Sequence, residues 1–283
     1  MFGFLNVYKP KGMTSHDVVA ILRRITKIRQ IGHTGTLDPF AEGVLPICIG
    51  KATRLIEYLK DNKAYIGTVQ FGKSTTTYDV EGEVVKTSDK KITLDDLKNV
   101  LPKFQGEIEQ IPPIYSAIKI KGKKLYEYAR NGEEIEIKPR KVNIYKLGIV
   151  SFNEERQTAE LLIECSKGTY IRSIANDLGD TLKCFGHLSK LIRTTAGKFI
   201  LENTISLDSL TNREIVLENL IPPIEYLEYP KYELTDIEKN LIAHGMSINI
   251  EFSNNIVILT HENNIIAVSK VENNRAKPLK VFI

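Results

Sequence analysis

Cysteine, net charge and long apolar runs are all scarce in this chain of 283 residues, and each scarcity removes a class of protein. The three cysteines, Cys48, Cys165 and Cys184, form no CxxC pair. An odd number, in a chain whose opening Met1-Phe2-Gly3-Phe4-Leu5 lacks the n-region and h-region of a secretory signal, argues against a disulfide framework and a structural zinc. No run approaches the roughly eighteen uncharged apolar residues of a membrane span. A soluble cytoplasmic protein with no membrane contact is therefore expected. There is no fixed-period repeat and no low-complexity tract. What is present is average globular composition, 42% hydrophobic and 26% charged, enough to bury a sizeable core.

The net charge of +4 is too small to establish a polyanionic partner, but its distribution is uneven. From Glu228 onward 6 Lys+Arg face 7 Asp+Glu, whereas residues 1–227 hold 33 against 28. The basic residues bunch at Arg23-Arg24, Lys27 and Arg29, at Lys119, Lys121, Lys123 and Lys124, and at Lys138, Arg140 and Lys141. Any one cluster reads as a solvated face; a nucleic-acid groove would use several together.

Thr14 to Asp17 has the form of a capping box, and Val18, Ile21, Leu22, Ile25 and Ile28 recur at helical spacing, which predicts a helix over 15–28. Thr93 with Leu94, Leu97 and Leu101 marks a second, short helix. Tyr170 to Leu178 places Ile171, Ile174, Ala175 and Leu178 on one face, with Gly179 as its stop. Strands are expected over 63–71, 142–152 and 158–165 from their β-formers. Helices and strands mix without a βαβ period, which favours an α+β fold. Near 222–231, Pro222-Pro223 and Tyr229-Pro230 break the pattern, so the chain divides into 1–227 and 228–283. In the second part, short strands at 248–250, 256–260, 265–271 and 279–283 are parted by Ser253-Asn254-Asn255 and Glu262-Asn263-Asn264. A small β-barrel is expected there.

The segment Gly32 to Gly50, GHTGTLDPFAEGVLPICIG, is so broken by Gly and Pro that it reads as a shaped loop. Its tail Gly43-x6-Gly50-Lys51-Ala52 misses a phosphate loop by two residues, and Ala52 stands where a hydroxyl belongs. Asp38 precedes Pro39, which biases it towards extended geometry. Either a projecting carboxylate or an Asx-Pro turn that caps the backbone satisfies that dipeptide.

GHTGTLDPFAEGVLPICIGKATR resembles the catalytic signature of the bacterial tRNA pseudouridine synthase B family, the tRNA pseudouridine(55) synthases. Four further stretches agree in order: Asn6 to Ser15 (NVYKPKGMTS), Gly72 to Gly82 (GKSTTTYDVEG), Gln110 to Lys119 (QIPPIYSAIK) and Cys165 to Ser173 (CSKGTYIRS). The similarity is specific over residues 6–173 and weakens after about 200.

The resemblance implies a pseudouridine synthase fold, a largely antiparallel mixed sheet flanked by helices, followed by a small PUA-like β domain. It implies isomerisation of uridine in the T loop of tRNA, with Asp38 as the catalytic aspartate and Arg172 as its guanidinium partner. Tyr65 would stack on the flipped uracil and take the C5 proton, and Tyr170 would line the pocket. His33 would fill the space the base vacates, and Leu191 would form pocket wall. Lys9 and Pro10 would support the site from beneath. Uracil leaves C1′ and returns through C5 without redox change, so no cofactor and no metal is expected. A carboxylate serves that chemistry by attacking C1′ or C6, or by taking a sugar proton, and must be ionised to do so. An arginine would oppose the desolvation that raises its pKa.

The expected partner is tRNA, bound through its T stem-loop by a monomer acting without guide RNA. Two other classes stay open: a non-catalytic RNA-binding or RNA-folding protein that uses the same groove, and a glycoside-type hydrolase using Asp38 and Glu42.

Overall fold

The computed structural model describes residues 2–252 and 254–283. Its centre is a ten-stranded sheet in the order 205–206, 3–9, 42–49, 186–196, 63–71, 158–165, 140–153, 106–110, with 199–200 beside 186–196 and 31–33 beside 42–49. Two pairings are parallel, 3–9 with 205–206 and 186–196 with 42–49; the others within this sheet are antiparallel. This is the mixed, largely antiparallel sheet expected, with helices packed on it.

Local signals account for much of this. Lys63–Phe71 and Thr158–Cys165 form strands with the expected ends, and every second residue of each is buried, the two-residue period of a pleated strand. Thr14 and Asp17 cap Ser15–Thr26 reciprocally, as Thr93 and Asp96 cap Leu94–Val100. The first helix ends at Thr26 because Lys27 adopts a left-handed C-cap, φ 59°.

The reading of 32–50 as loop throughout is corrected by an eight-residue strand, Glu42–Ile49. Gly43, at φ +106°, lies where an added Cβ would come 2.4 Å from the Arg193 carbonyl oxygen; this glycine lets two strands touch. Pro46 is tolerated because on one side of its strand 186–196 pairs only with 42–43 and 31–33 only with 47–49. The missing donor falls in the gap between them.

The helix of residues Ile171–Thr181 runs through Gly179, contrary to the expected stop. Gly179 is there for closeness: a Cβ would lie 2.1 Å from the Gly186 nitrogen and 2.2 Å from the Phe185 carbonyl carbon. Gly179→Ala is expected to destabilise the protein by about 3 kcal/mol through backbone overlap, seen as a fall in Tm on the order of 6–12 °C. Gly148→Ala, whose methyl meets nothing within 4 Å, should leave Tm unchanged in the same calorimetric comparison.

Residues 231–281 form a second, five-stranded sheet, ordered 231–233, 256–261, 264–272, 275–281, 248–249. Glu262 and Asn263 make the tight turn with positive φ; of the other expected turn, Ser253 lies outside the described residues, as does Met1. The sequence reading missed the helix Asp236–Ala243 in this part, although Thr235 and Glu238 form its capping box. The small sheet shares a core with the large one: Ile258, Val268 and Phe282 join Phe4, Val44, Leu55 and Phe199 in one cluster.

Candidate active site

The 34–38 turn enters the strand Glu42–Ile49 and is held on both sides of Asp38. Before it, the Ser15 hydroxyl accepts from the Leu37 N–H at 2.8 Å and lies 3.2 Å from its carbonyl oxygen. Arg193, 1% exposed, donates to the carbonyls of Gly35 (3.1 Å), Thr36 (3.4 Å) and Val44 (2.7 Å). After it, the fully buried Lys9 donates to the carbonyls of Pro10 (2.8 Å), Pro39 (3.3 Å) and Ala41 (2.6 Å). Among the described residues neither cation forms an ion pair with a carboxylate. Both serve backbone oxygens that a buried turn would otherwise leave unsatisfied.

Arg172 comes from the first turn of the 171–181 helix, and that turn is itself pinned. Gln110 accepts from the Tyr170 N–H (2.8 Å) and donates to the Tyr170 carbonyl (3.0 Å), while the Ser173 hydroxyl donates to the Ile111 carbonyl (2.9 Å). The guanidinium then spans two carboxylates. Its Nε lies 2.9 Å from Asp38 Oδ2 and Nη2 donates to Oδ1 at 3.2 Å, while Nη1 lies 3.3 Å from Asp79 Oδ2. The remaining N–H groups reach the carbonyls of Thr77 and Tyr115, each at 3.1 Å. Asp79 is fixed from its other side by the Thr77 hydroxyl (2.5 Å) and the Glu81 N–H (3.0 Å). The side chains of Arg172 and Asp79 are 6% and 4% exposed, that of Asp38 34%. Asp38 is thus the member of the triplet that faces out.

It faces a cavity of about 440 Å³ whose walls include Asp38, Tyr65, Tyr170, Arg172 and Leu191, a volume in the range of small-ligand sites. Burial pushes the Asp38 pKa up; Arg172 pulls it back and the Asp79 carboxylate adds to the rise, so the net direction is upward. The arginine restrains the desolvation without cancelling it. Burial also pushes the Tyr65 phenol up, partly offset by the Arg193 guanidinium against it.

Five of the six residues singled out from the sequence therefore share one cavity. The sixth, His33, ends the strand Ile31–His33 outside the cavity lining. Its Nδ1 is buried without a hydrogen-bond partner among the described residues, and burial, then Arg193 and His16, push its pKa down. Sequence reasoning missed Asp79, Gln110, Arg193 and Lys63. Asp79 and Gln110 stand inside motifs already marked; Lys63 is two residues before Tyr65 and so on the same strand face; Arg193 is the lone charge in Leu191-Ile192-Arg193-Thr194. The basic run 119–124 lies on a flap, a two-stranded ribbon followed by the helix Leu125–Arg130, that brings Tyr115, Ser116 and Tyr126 to the cavity. Among the described residues no group of three or more His, Cys, Asp or Glu is placed to hold a metal ion.

Residues 23–171 match the family model of the N-terminal domain of TruB family pseudouridylate synthases, and residues 172–227 match that of the tRNA pseudouridylate synthase B C-terminal domain. A tRNA pseudouridine synthase B of Caldanaerobacter subterraneus subsp. tengcongensis is 42% identical over 285 residues, covering 99% of each chain. One of Staphylococcus aureus strain JH9 is 42% identical over 301 residues with the same coverage. Among solved structures, a chain of an H/ACA RNP bound to a substrate RNA containing 2′-deoxyuridine superposes with TM-score 0.74 at 22% identity, covering 99% of this chain and 85% of that one. A chain of a Cbf5-Nop10-Gar1 complex gives 0.73 at 24%, covering 99% and 84%; at such identities the likeness is one of fold.

Proposed function

The chain belongs to the TruB family of pseudouridylate synthases, and from that premise we infer that it isomerises uridine to pseudouridine in tRNA, at the T-loop position 55, with Asp38 as the reacting carboxylate. The observation that carries the assignment of Asp38 is its exposure to the cavity in front of a buried Arg172 and Asp79. A carboxylate so placed meets a ligand while its counter-ion stays dry.

The C1′–N1 bond breaks, the C1′–C5 bond forms, the C5 proton leaves and N1 gains one. The balance needs no oxidant, reductant or energy input. Ionised Asp38 stabilises the separated sugar by attacking C1′, attacks C6 of the base, or removes a sugar proton; each route requires the anion. The target must leave its stack to reach the cavity. Tyr65 then stacks on the uracil, with Tyr170 and Leu191 as walls. Burial keeps the resting Tyr65 phenol neutral, so to take the C5 proton it must first give its own proton to water; the Arg193 guanidinium beside it holds that phenolate until transfer from C5 restores the phenol. His33, next in the chain to the cavity-lining Thr34, fills the stack the base vacates in this reading.

The protein acts alone on the T stem-loop, as a monomer and without a guide RNA. No described helix is long and apolar enough to cross a membrane. Purified protein, without metal or nucleotide, should release tritium from T stem-loop RNA labelled at C5 of its uridines. RNA held tightly with no release would point to a non-catalytic RNA-binding protein, and free uracil to a hydrolase.

A further inference from the structure

The cavity wall changes character along the strand Lys63–Phe71. A Cβ at Gly67 would touch Ile171, the residue before Arg172, at 3.6 Å, and Leu191 at 3.6 Å. Lys63, four residues earlier and about 13 Å away along the strand, stands at the opposite end, with Tyr65 between them on the same face. Lys63 is 8% exposed and lines the cavity, and its ammonium makes no hydrogen bond or ion pair with any described residue.

The groups facing it are Arg193 from strand 186–196, Cys165 and Lys167 from the end of strand 158–165 and the turn beyond, and the exposed Asp61 from its own loop. Two of these are cations, and Asp61 forms no ion pair with it. Its Cε and Nη1 of Arg193 flank Gly35, at 3.6 and 3.7 Å from the position of a Cβ there. The side chain is largely buried while the ammonium itself stays open to the cavity, and a charge so nearly withdrawn from water without a protein acceptor is costly. Such a cost is tolerable where a ligand completes the shell.

We propose that the Lys63 ammonium binds a carbonyl oxygen of the everted uracil and holds the charge that develops there. The inference rests on the isomerase reading above. With the base stacked on Tyr65 and its glycosidic carbon at Asp38, the far edge of the ring points along the strand towards Lys63. An ammonium only donates. Uracil offers O2 and O4 as acceptors; cytosine shares O2 but carries an amino group at C4, so Lys63 favours uracil through O4. When C1′–N1 breaks, the bonding pair stays on the ring and spreads to its oxygens. Lys63 keeps its proton and donates a hydrogen bond that strengthens as the charge grows. A phosphodiester is the less fitting ligand, because it stays with the backbone at the cavity mouth, where the exposed Lys167 lies.

Burial, then Arg193, lower the Lys63 pKa to about 8, so its charge is present at neutral pH and is lost as the pH rises through that value. The test compares wild type, Lys63→Met and Lys63→Arg with C5-tritiated T stem-loop RNA under saturating conditions, alongside RNA affinity and a pH profile. Lys63→Met should lower kcat by about 10- to 100-fold, with Kd for the stem-loop within twofold of wild type. The wild-type profile of kcat/KM should fall above about pH 8, and Lys63→Arg, whose charge does not titrate there, should retain at least about a tenth of kcat and lose that limb. Unchanged kcat in Lys63→Met overturns the inference. So does weaker binding with unchanged kcat and a shallower salt dependence, which would assign Lys63 to a phosphate. A basic limb that persists in Lys63→Arg would belong to Lys9, also lowered to about 8, and would overturn it too. Wild type that releases no tritium removes the isomerase reading itself, an outcome distinct from an active wild type with an indifferent Lys63.

Discussion

Asp38→Asn is expected to reduce tritium release by at least about a thousandfold, the scale on which loss of a group that must be an anion reduces catalysis. The amide preserves the shape and one acceptor oxygen, so RNA affinity should stay within about twofold; single-turnover release and filter-bound RNA measure the two separately. Stability should move the other way. The carboxyl pKa is raised on folding, so the folded state binds the proton more tightly than the unfolded chain, and stability falls as pH rises from the ordinary carboxylate range through the raised value. At neutral pH the ionised Asp38 therefore opposes folding. Arg172 retains Asp79 and two carbonyls in the variant. Tm should be equal to that of wild type or above it, and a marked fall would contradict the role assigned to burial here.

Arg172→Met should have the second large effect, on stability and activity together. It leaves Asp79, 4% exposed, and Asp38 without the cation between them. Removing one partner of a buried ion pair costs about 3–5 kcal/mol; the lower end applies because Asp38 is a third open to the cavity. In a chain of this size that is a fall in Tm on the order of 6–12 °C. Arg172 is also the charge that pulls the Asp38 pKa down. Without it the pKa rises further, so the acid limb of kcat/KM must move to higher pH and less of the enzyme is ionised at neutrality. Arg172→Lys restores one charge but not the fork that serves two carboxylates and two carbonyls, and should fall between the two. An acid limb that stays in place in Arg172→Met would show that Asp38 is not the group titrating in it.

The capped helices at 15 and 94 and the strands 63–71 and 158–165 were legible in the sequence because their determinants are local. A capping box spans four residues and a strand alternates every two, so the chain displays the signal wherever it folds. The ordered motifs also marked Asp38, Tyr170 and Arg172, and the family resemblance added Tyr65 and, by position alone, Leu191; the fold gathers all five on one cavity although Asp38 and Arg172 are 134 residues apart. Composition separated the basic first part of the chain from the near-neutral remainder.

Other features depend on neighbours that no local pattern announces. Gly43 and Pro46 look like strand breakers, yet they sit in a strand because Arg193 crosses against one and the ladder is interrupted beside the other. Gly179 resembles a helix stop and is a point of close contact with Gly186. Lys63 and Arg193 carry no local sign of burial, and Lys9 is marked by the resemblance alone; packing shows all three buried, two against backbone carbonyls and one facing the cavity. Asp79 joins Arg172 across the fold in the same way. The locally encoded elements, the motifs and the candidate carboxylate Asp38 can thus be read from the chain alone. Which charges are buried, what each is paired with and which one faces the cavity emerge only on folding, because the energy of a buried charge depends on its distance to partners and its removal from water, and neither quantity exists in the unfolded chain.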